Sequence, residues 1–362
     1  MAHSKRIQSL DSIRGILLLQ MVLDHFSGPI SHYLYQCFGF FSAAEGFFFL
    51  SGFVGMLAVI SKTSRGENSC WMLRRASRIW IYHILSVLAL ALAAFFFFPK
   101  IRHFFSGLYE HPLGGSTLAA TLIYTPEWLD VLPLYVILLA IGFFALPQIA
   151  RGRLKQVWAI SFLIWIFAQG PLRSTFLQFV PHWAYPGFFD FFAWQFIYFC
   201  GAAICALWKF QKSPLKTNGQ ILDCIFPICI TLCVFLFLWR HDALPIPQPD
   251  EFWISKEHLG LLRFINFLAF VGIISFVIRH KPLWLDFSFC RILGRHSLEI
   301  YSVHTLLIYL LWMATPAAIQ YRSPFNMMAP ILCCLLLIGI AQFLERQNKA
   351  GYKQAHADNA KS

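Results

Sequence analysis

Apolar runs of about twenty residues recur along the chain, each long enough to cross a hydrocarbon core of roughly 30 Å as a helix. None alternates apolar and polar residues with a period of two, as a membrane strand would. Because lipid satisfies no backbone hydrogen bond, helices are the expected spans. Ten runs fit, at roughly 9–27, 38–61, 76–98, 129–148, 156–172, 187–208, 219–239, 259–278, 291–313 and 324–344. The fifth is short and broken by Gly170-Pro171.

The segments between the runs carry the basic residues, and their distribution orients the chain. With a cytoplasmic N-terminus, 21 of the 29 Lys and Arg fall on the cytoplasmic side. They are Lys5, Arg6, Lys62, Arg65, Arg74, Arg75, Arg78, Arg151, Arg153, Lys155, Lys209, Lys212, Lys216, Arg279, Lys281, Arg291, Arg295, Arg346, Lys349, Lys353 and Lys361. The opposite side receives seven: Lys100, Arg102, Arg173, Arg240, Lys256, Arg263 and Arg322. Cytoplasmic loops of membrane proteins carry this excess. The expected architecture is therefore an all-α, polytopic bundle of about ten transmembrane helices with both termini cytoplasmic.

Composition agrees. Hydrophobic residues make up 58% of the 362 and charged residues only 13%, against about a quarter charged in soluble domains. The net charge of +12 follows from this topology, so it gives no ground for nucleic-acid binding. The first run is basic-flanked like a signal peptide, but it carries Asp24 and His25 and lacks a small-residue cleavage site. It reads as a retained helix. The ten cysteines form no CxxC and no metal-like spacing; within the runs they read as small apolar packing residues, and no metal is expected.

Polar groups inside apolar runs are costly and mark functional sites by default. Arg14 and His25 stand eleven residues apart in the first run, about three helical turns and a rise of about 16.5 Å. They share a face, one near each side of the membrane. Asp24, His25, Glu45, Glu127, Asp130, Asp190, Gln195, Arg263 and Asn266 fall toward the outside. Arg14, Arg74, Arg75, Arg78, His83, Arg295 and His296 fall toward the cytoplasm, with His304 near mid-span. The segregation suggests a two-ended site.

His25 is the best general base in the outward set, since imidazole titrates near neutral pH and a carboxylate at Asp24 or Glu45 would orient it. Arg14 offers a fork for a phosphate or carboxylate, or an intrahelical pair with Asp11. Arg74, Arg75 and Arg78 would serve an anionic nucleotide or act as ordinary interfacial anchors. His83 and His304 read as structural. Two long outward connections, about 99–128 and 240–258, are placed to cap a site.

These residues carry a resemblance. Arg14-Gly15 … Met21 … Asp24-His25, followed by Ser42-Ala43-Ala44-Glu45-Gly46-Phe47-Phe48-Phe49-Leu50-Ser51-Gly52, resembles the OpgC family of membrane acyltransferases. Tyr124-Thr125-Pro126-Glu127-Trp128-Leu129-Asp130-Val131-Leu132-Pro133-Leu134-Tyr135 continues it, as do Ala193-Trp194-Gln195, Lys256 through Asn266 and Leu293-Gly294-Arg295-His296-Ser297. At Asp190-Phe191-Phe192 the chain departs from the expected pattern, which leaves the acceptor open. The Arg14–His25 spacing also matches the Arg-x10-His motif of the related acyltransferase-3 group.

The resemblance implies a bacterial inner-membrane enzyme that moves a succinyl group from cytoplasmic succinyl-CoA to a hydroxyl of an osmoregulated periplasmic glucan. His25 would be the base, with Asp24 and Glu45 beside it. Arg14, Arg74, Arg75 and Arg78 would bind the acyl-CoA. Glu127, Asp130, Asp190, Gln195, Arg263 and Asn266 would face the glucan. Residues 1–346 would form one transmembrane acyltransferase domain and 347–362 a polar cytoplasmic tail. The bilayer and the glucan are the expected partners, and the reading leaves room for a homodimer. Rival readings are O-acetylation of another envelope polysaccharide and, in a different class, a transporter or flippase using the intramembrane charges.

Overall fold

The computed structural model describes residues 7–26, 29–210, 217–314 and 324–359. Among them there is no strand. The helices are α1 (Gln8–Asp24), α2 (Pro29–Leu34), α3 (Ala43–Thr63) and α4 (Cys70–Phe96), then a 3-10 stretch (Pro99–Phe105) leading to α5 (Ser106–Glu110) and α6 (Pro112–Ala120). Next come α7 (Val131–Ala150), α8 (Leu154–Ala168), α9 (Leu172–Leu177), α10 (Phe191–Phe210), α11 (Thr217–Arg240), α12 (Glu251–Ile254) and α13 (Leu261–His280). A second 3-10 turn (Pro282–Leu285) precedes α14 (Ser288–Arg295), α15 (Ser297–Ala314) and α16 (Pro324–Asn359).

Each apolar run has a helical counterpart. Among the described residues, seven helices are long and apolar enough to cross a membrane: α3, α4, α7, α10, α11, α13 and α16. Shorter apolar helices occupy Leu154–Ala168 and Ser297–Leu311. α8 stops before Gly170-Pro171, where proline ends the helical pattern. α16 runs on through the polar segment after 346. Of the basic residues used for orientation, Lys5, Arg6, Lys212, Lys216, Arg322 and Lys361 lie outside the described residues, and of Lys353 only the backbone is described.

The chain divides into two compact units. The first comprises the described residues of Met1–Tyr35 and Val277–Ser362; the second is Gln36–Phe276. Within the first, α1 and α14 pack backbone against backbone through a reciprocal glycine contact. A Cβ on Gly15 would lie 2.0 Å from the Cys290 carbonyl oxygen, and one on Gly294 would lie 1.9 Å from that of Asp11. Without a burial driving force between helices in lipid, close contact of small residues holds such crossings. The Ser12 hydroxyl adds a bond from the Phe287 amide, 3.0 Å.

The run at 291–313 is split rather than continuous, because its polar start is used elsewhere. Arg295 Nη1 meets Glu345 Oε1 of α16 at 2.8 Å, and His296 Nε2 lies 3.3 Å from Glu345 Oε2. The helix is interrupted at His296, whose backbone (φ −103°, ψ 29°) is not helical, and α15 begins at the next residue.

The second unit repeats the glycine device between α3 and α10. A Cβ on Gly52 would lie 1.8 Å from the Tyr198 oxygen, and one on Gly201 would lie 2.1 Å from that of Phe49. α8 packs its Trp158, Phe162 and Trp165 rings around Phe196 of α10 at 5.3–5.6 Å. α4 buries Met72, Ala76, Ile79, His83 and Val87 while exposing Ile81, Leu85, Leu88 and Leu92. Both faces of this helix are therefore largely apolar. That suits a lipid-facing helix, since acyl chains are as apolar as leucine.

Candidate functional site

In the first unit, α1 carries Arg14 within it and ends at Asp24, with His25 as its C-cap. Arg14 and Asp11 are both buried. The His25 ring meets His304 of α15, with Nδ1 of His25 2.9 Å from Nε2 of His304. The two rings lie within 25° of coplanar, with centroids 4.9 Å apart. That separation is too long for face-to-face contact and close to the bond plus one ring radius at each end. The imidazoles therefore meet edge to edge, in line for a hydrogen bond. His304 is fully buried, and the Tyr301 ring, one turn earlier, packs its edge at 5.8 Å. The Asp24 carbonyl accepts a bond from the Ser31 hydroxyl at 3.0 Å.

In the second unit, the outward polar residues are bonded to their own fold. Glu45 caps α3: its Oε2 accepts from the Ser42 amide and hydroxyl, both at 2.9 Å. Its Oε1 pairs with Arg263 Nε, and both residues are fully buried. The guanidinium also reaches the Ser42 hydroxyl and the Ile254 carbonyl. Asn266 accepts from the Phe40 amide at 2.7 Å and donates toward Phe38 O, clamping that connection. Gln195 exchanges bonds with Ser161, side chain to side chain at 2.6 Å and amide to carbonyl at 2.8 Å, tying α10 to α8. Asp130 Oδ2 accepts from the Phe188 amide at 2.9 Å. Glu127, three residues earlier, is exposed.

The α4 cations differ among themselves. Arg74 and Arg78 are exposed, and Arg78 lies over the Tyr82 ring. Arg75 points inward: its Nη2 donates to the Tyr135 hydroxyl at 3.2 Å, which also receives the Ser51 hydroxyl at 2.8 Å. His83, further along α4, is fully buried with neither ring nitrogen bonded among the described residues. Among the described residues, no group of three or more His, Cys, Asp or Glu side chains is arranged to hold a metal ion.

Comparison with known proteins places this arrangement. The profile of the OpgC protein family matches residues 6–349, nearly the whole chain and both units. The chain belongs to the OpgC family. A stretch of 152 residues is also similar, at 26% identity, to the calpain-type cysteine protease DEK1 of Arabidopsis thaliana, covering 40% of this chain. The chain spans 6% of the length of that curated relative.

Two features of this OpgC-family chain escape a reading of its sequence. Asp190 does two jobs at the start of α10: Oδ1 accepts from the Phe192 amide at 2.9 Å, and Oδ2 lies 3.1 Å from Nδ1 of His258. The bond to Asp190 raises the His258 pKa above that of a free imidazole, helped by Glu257 and opposed by partial burial. The only sequence signal was the charge-dense Lys256-Glu257-His258 in an otherwise apolar chain. The second is a cavity of about 160 Å³ lined by Thr125, Asp130, Arg173 and apolar residues including Pro133, Phe176 and Phe189. Arg173 there donates to Gly187 O at 2.6 Å and pairs with Glu257 at 3.0 Å. The buried Thr125 hydroxyl has no bond among the described residues.

Proposed function

We propose that the protein is a multi-pass inner-membrane O-acyltransferase that moves a succinyl group from cytoplasmic succinyl-CoA to a hydroxyl of a periplasmic glucan. Membership of the OpgC family implies an acyltransferase-like role in glucan modification. The observation that carries the chemistry is the His25–His304 hydrogen bond at the end of α1, an imidazole held in one orientation inside an apolar bundle. In this reading about ten helices span the membrane and both termini are cytoplasmic.

His25 acts as general base on the acceptor hydroxyl, and the same proton is then passed to the leaving thiolate. Such catalysis contributes about 10²–10⁴-fold. Arg14 supplies a buried cation for the anionic donor, and Arg74, Arg75 and Arg78 are assigned to its phosphates on their charge. Asp24 and Glu45 are assigned supporting roles, Glu45 by ordering the start of α3. The glucan is assigned to the outward groups of the second unit. Asp130, with Arg173 and Thr125, lines the cavity it would enter. Glu127 is exposed and is assigned to the glucan on its charge. Asp190, Arg263 and Asn266 order nearby helix starts and connections, and Gln195 ties α10 to α8.

Purified protein in liposomes, given succinyl-CoA or acetyl-CoA and isolated periplasmic glucan, tests the reading. Mass spectrometry of the glucan is expected to show succinyl groups with the first donor and none above background when His25 is alanine. Transfer of acetyl alone would redirect the proposal to O-acetylation. Parental activity in stable His25→Ala protein would sink it.

A further inference from the structure

We infer that His304 is a positioning residue for the acyl-transfer base, fixing the His25 tautomer through an imidazole–imidazole hydrogen bond. The inference rests on the reading of His25 as base. One proton must lie between His25 Nδ1 and His304 Nε2 for a bond of 2.9 Å. In a neutral pair there are two ways to place it. If His25 donates, its Nε2 keeps a lone pair and is the basic atom. If His304 donates, His25 carries its own proton on Nε2 and has no lone pair to offer. Only the first arrangement makes His25 a base, and it requires an acceptor nitrogen where His304 Nε2 stands.

Three observations favour a role beyond packing. The rings are nearly coplanar and edge to edge, the geometry of a directed bond rather than of aromatic filling. The bond joins the end of α1 to α15, elements far apart in sequence, so it fixes the ring from outside its own helix. And His304 Nδ1 is buried with no partner among the described residues. A leucine at 304 would leave no such orphan, and burying an unbonded polar atom costs about 1–3 kcal/mol. His83 carries the same kind of cost, and what sets His304 apart is that its other nitrogen meets the His25 ring.

A neutral imidazole also orients the base differently from a carboxylate. It holds the ring and accepts Nδ1–H without adding a second charge to an apolar surrounding, where each charge is expensive. The step balances without His304 being consumed. The acceptor O–H breaks and its proton goes to His25 Nε2. The oxygen forms the new bond to the thioester carbonyl carbon, the C–S bond breaks, and the proton on Nε2 passes to the thiolate sulfur. Throughout, Nδ1–H stays in its bond to His304, which shares the imidazolium charge.

The test compares His304→Leu, His304→Gln and His25→Ala in full-length protein reconstituted with succinyl-CoA and glucan, with acetyl-CoA run in parallel. His304→Leu is expected to lower kcat about 10²-fold, leaving KM for both substrates within about twofold of parental. His304→Gln is expected to recover a large part of that loss, because its amide oxygen accepts from Nδ1–H. Parental kcat in His304→Leu, with His25→Ala inactive, would overturn the positioning role while leaving the base intact. Glutamine no better than leucine would reduce His304 to packing and overturn it equally. Parental activity in His25→Ala would instead remove the reading on which the inference stands. A second measurement needs no variant: ¹⁵N spectra of histidine-labelled protein are expected to show His25 protonated on Nδ1, and protonation on Nε2 alone would overturn the assignment.

Discussion

The outward polar residues of the second unit and the His25–His304 pair of the first are satisfied in different ways. In the second, Glu45, Asp130, Asp190, Gln195, Arg263 and Asn266 are each bonded to a backbone group or side chain that shapes a helix start or a connection. In the first, two histidines are bonded to each other in an apolar setting, with one ring nitrogen left over. Even the imidazoles contrast. His258 leans on a buried carboxylate that also caps α10, whereas His25 leans on a buried second imidazole. A carboxylate stabilises the charged ring and makes a durable clip. A neutral partner fixes orientation and leaves the ring able to take and give a proton. An intramembrane polar residue thus signals function only when its bonds do not already account for it.

The sharpest way to break the comparison is to remove one imidazole from each unit. His25→Ala is expected to lower glucan acylation by about 10²–10⁴-fold, while His258→Ala stays within about threefold in kcat; reversed outcomes would move the chemistry to the second unit. Next in size is the Glu45–Arg263 pair. Arg263→Met leaves a buried carboxylate unpaired and is expected to cost about 3–5 kcal/mol of stability. Adding Glu45→Gln should recover part of it, as read by thermal unfolding in detergent. A stable single variant with lost activity would contradict the scaffold role.

Asp190→Asn is expected to be milder. It keeps an oxygen for capping α10 but removes the charge beside His258, so the His258 pKa should fall toward the usual imidazole value in an NMR titration. The pH dependence has a definite sign. Because the His258 pKa is raised in the folded state, the pair's contribution is fully present below the unfolded value of about 6.5. It is lost as pH rises through the higher folded value. Thermal unfolding from pH 5 to 9 should show a fall over that window in the parental protein and a smaller one in Asp190→Asn. The smallest effect is expected at His83, whose ring nitrogens are buried without bonds. His83→Leu should leave stability unchanged or slightly raised, with activity near parental; a large activity loss would make His83 a third imidazole to explain.

The sequence by itself determined the helical architecture, since lipid admits no unsatisfied backbone and the apolar runs had the length of spans. That Arg14 lies within the first helix and His25 at its end was legible because spacing along one helix is a local property. The capping of α3 by Glu45 through Ser42 and the close glycine contacts between helices came from the structure. The run at 291–313 was misread as one helix because Glu345, which engages Arg295 and His296, lies fifty residues away. The partner of His25 was equally invisible. Proximity in sequence pointed to Asp24 and the carboxylate type to Glu45; the bond to His304, 279 residues further along the chain, had no sequence signal. Which polar groups satisfy one another depends on distances between helices, and one-dimensional spacing does not contain them. Tertiary structure alone decided that Glu45, Asp130 and Asp190 are bonded within their own unit, and that His25 at the end of α1 leans on another imidazole.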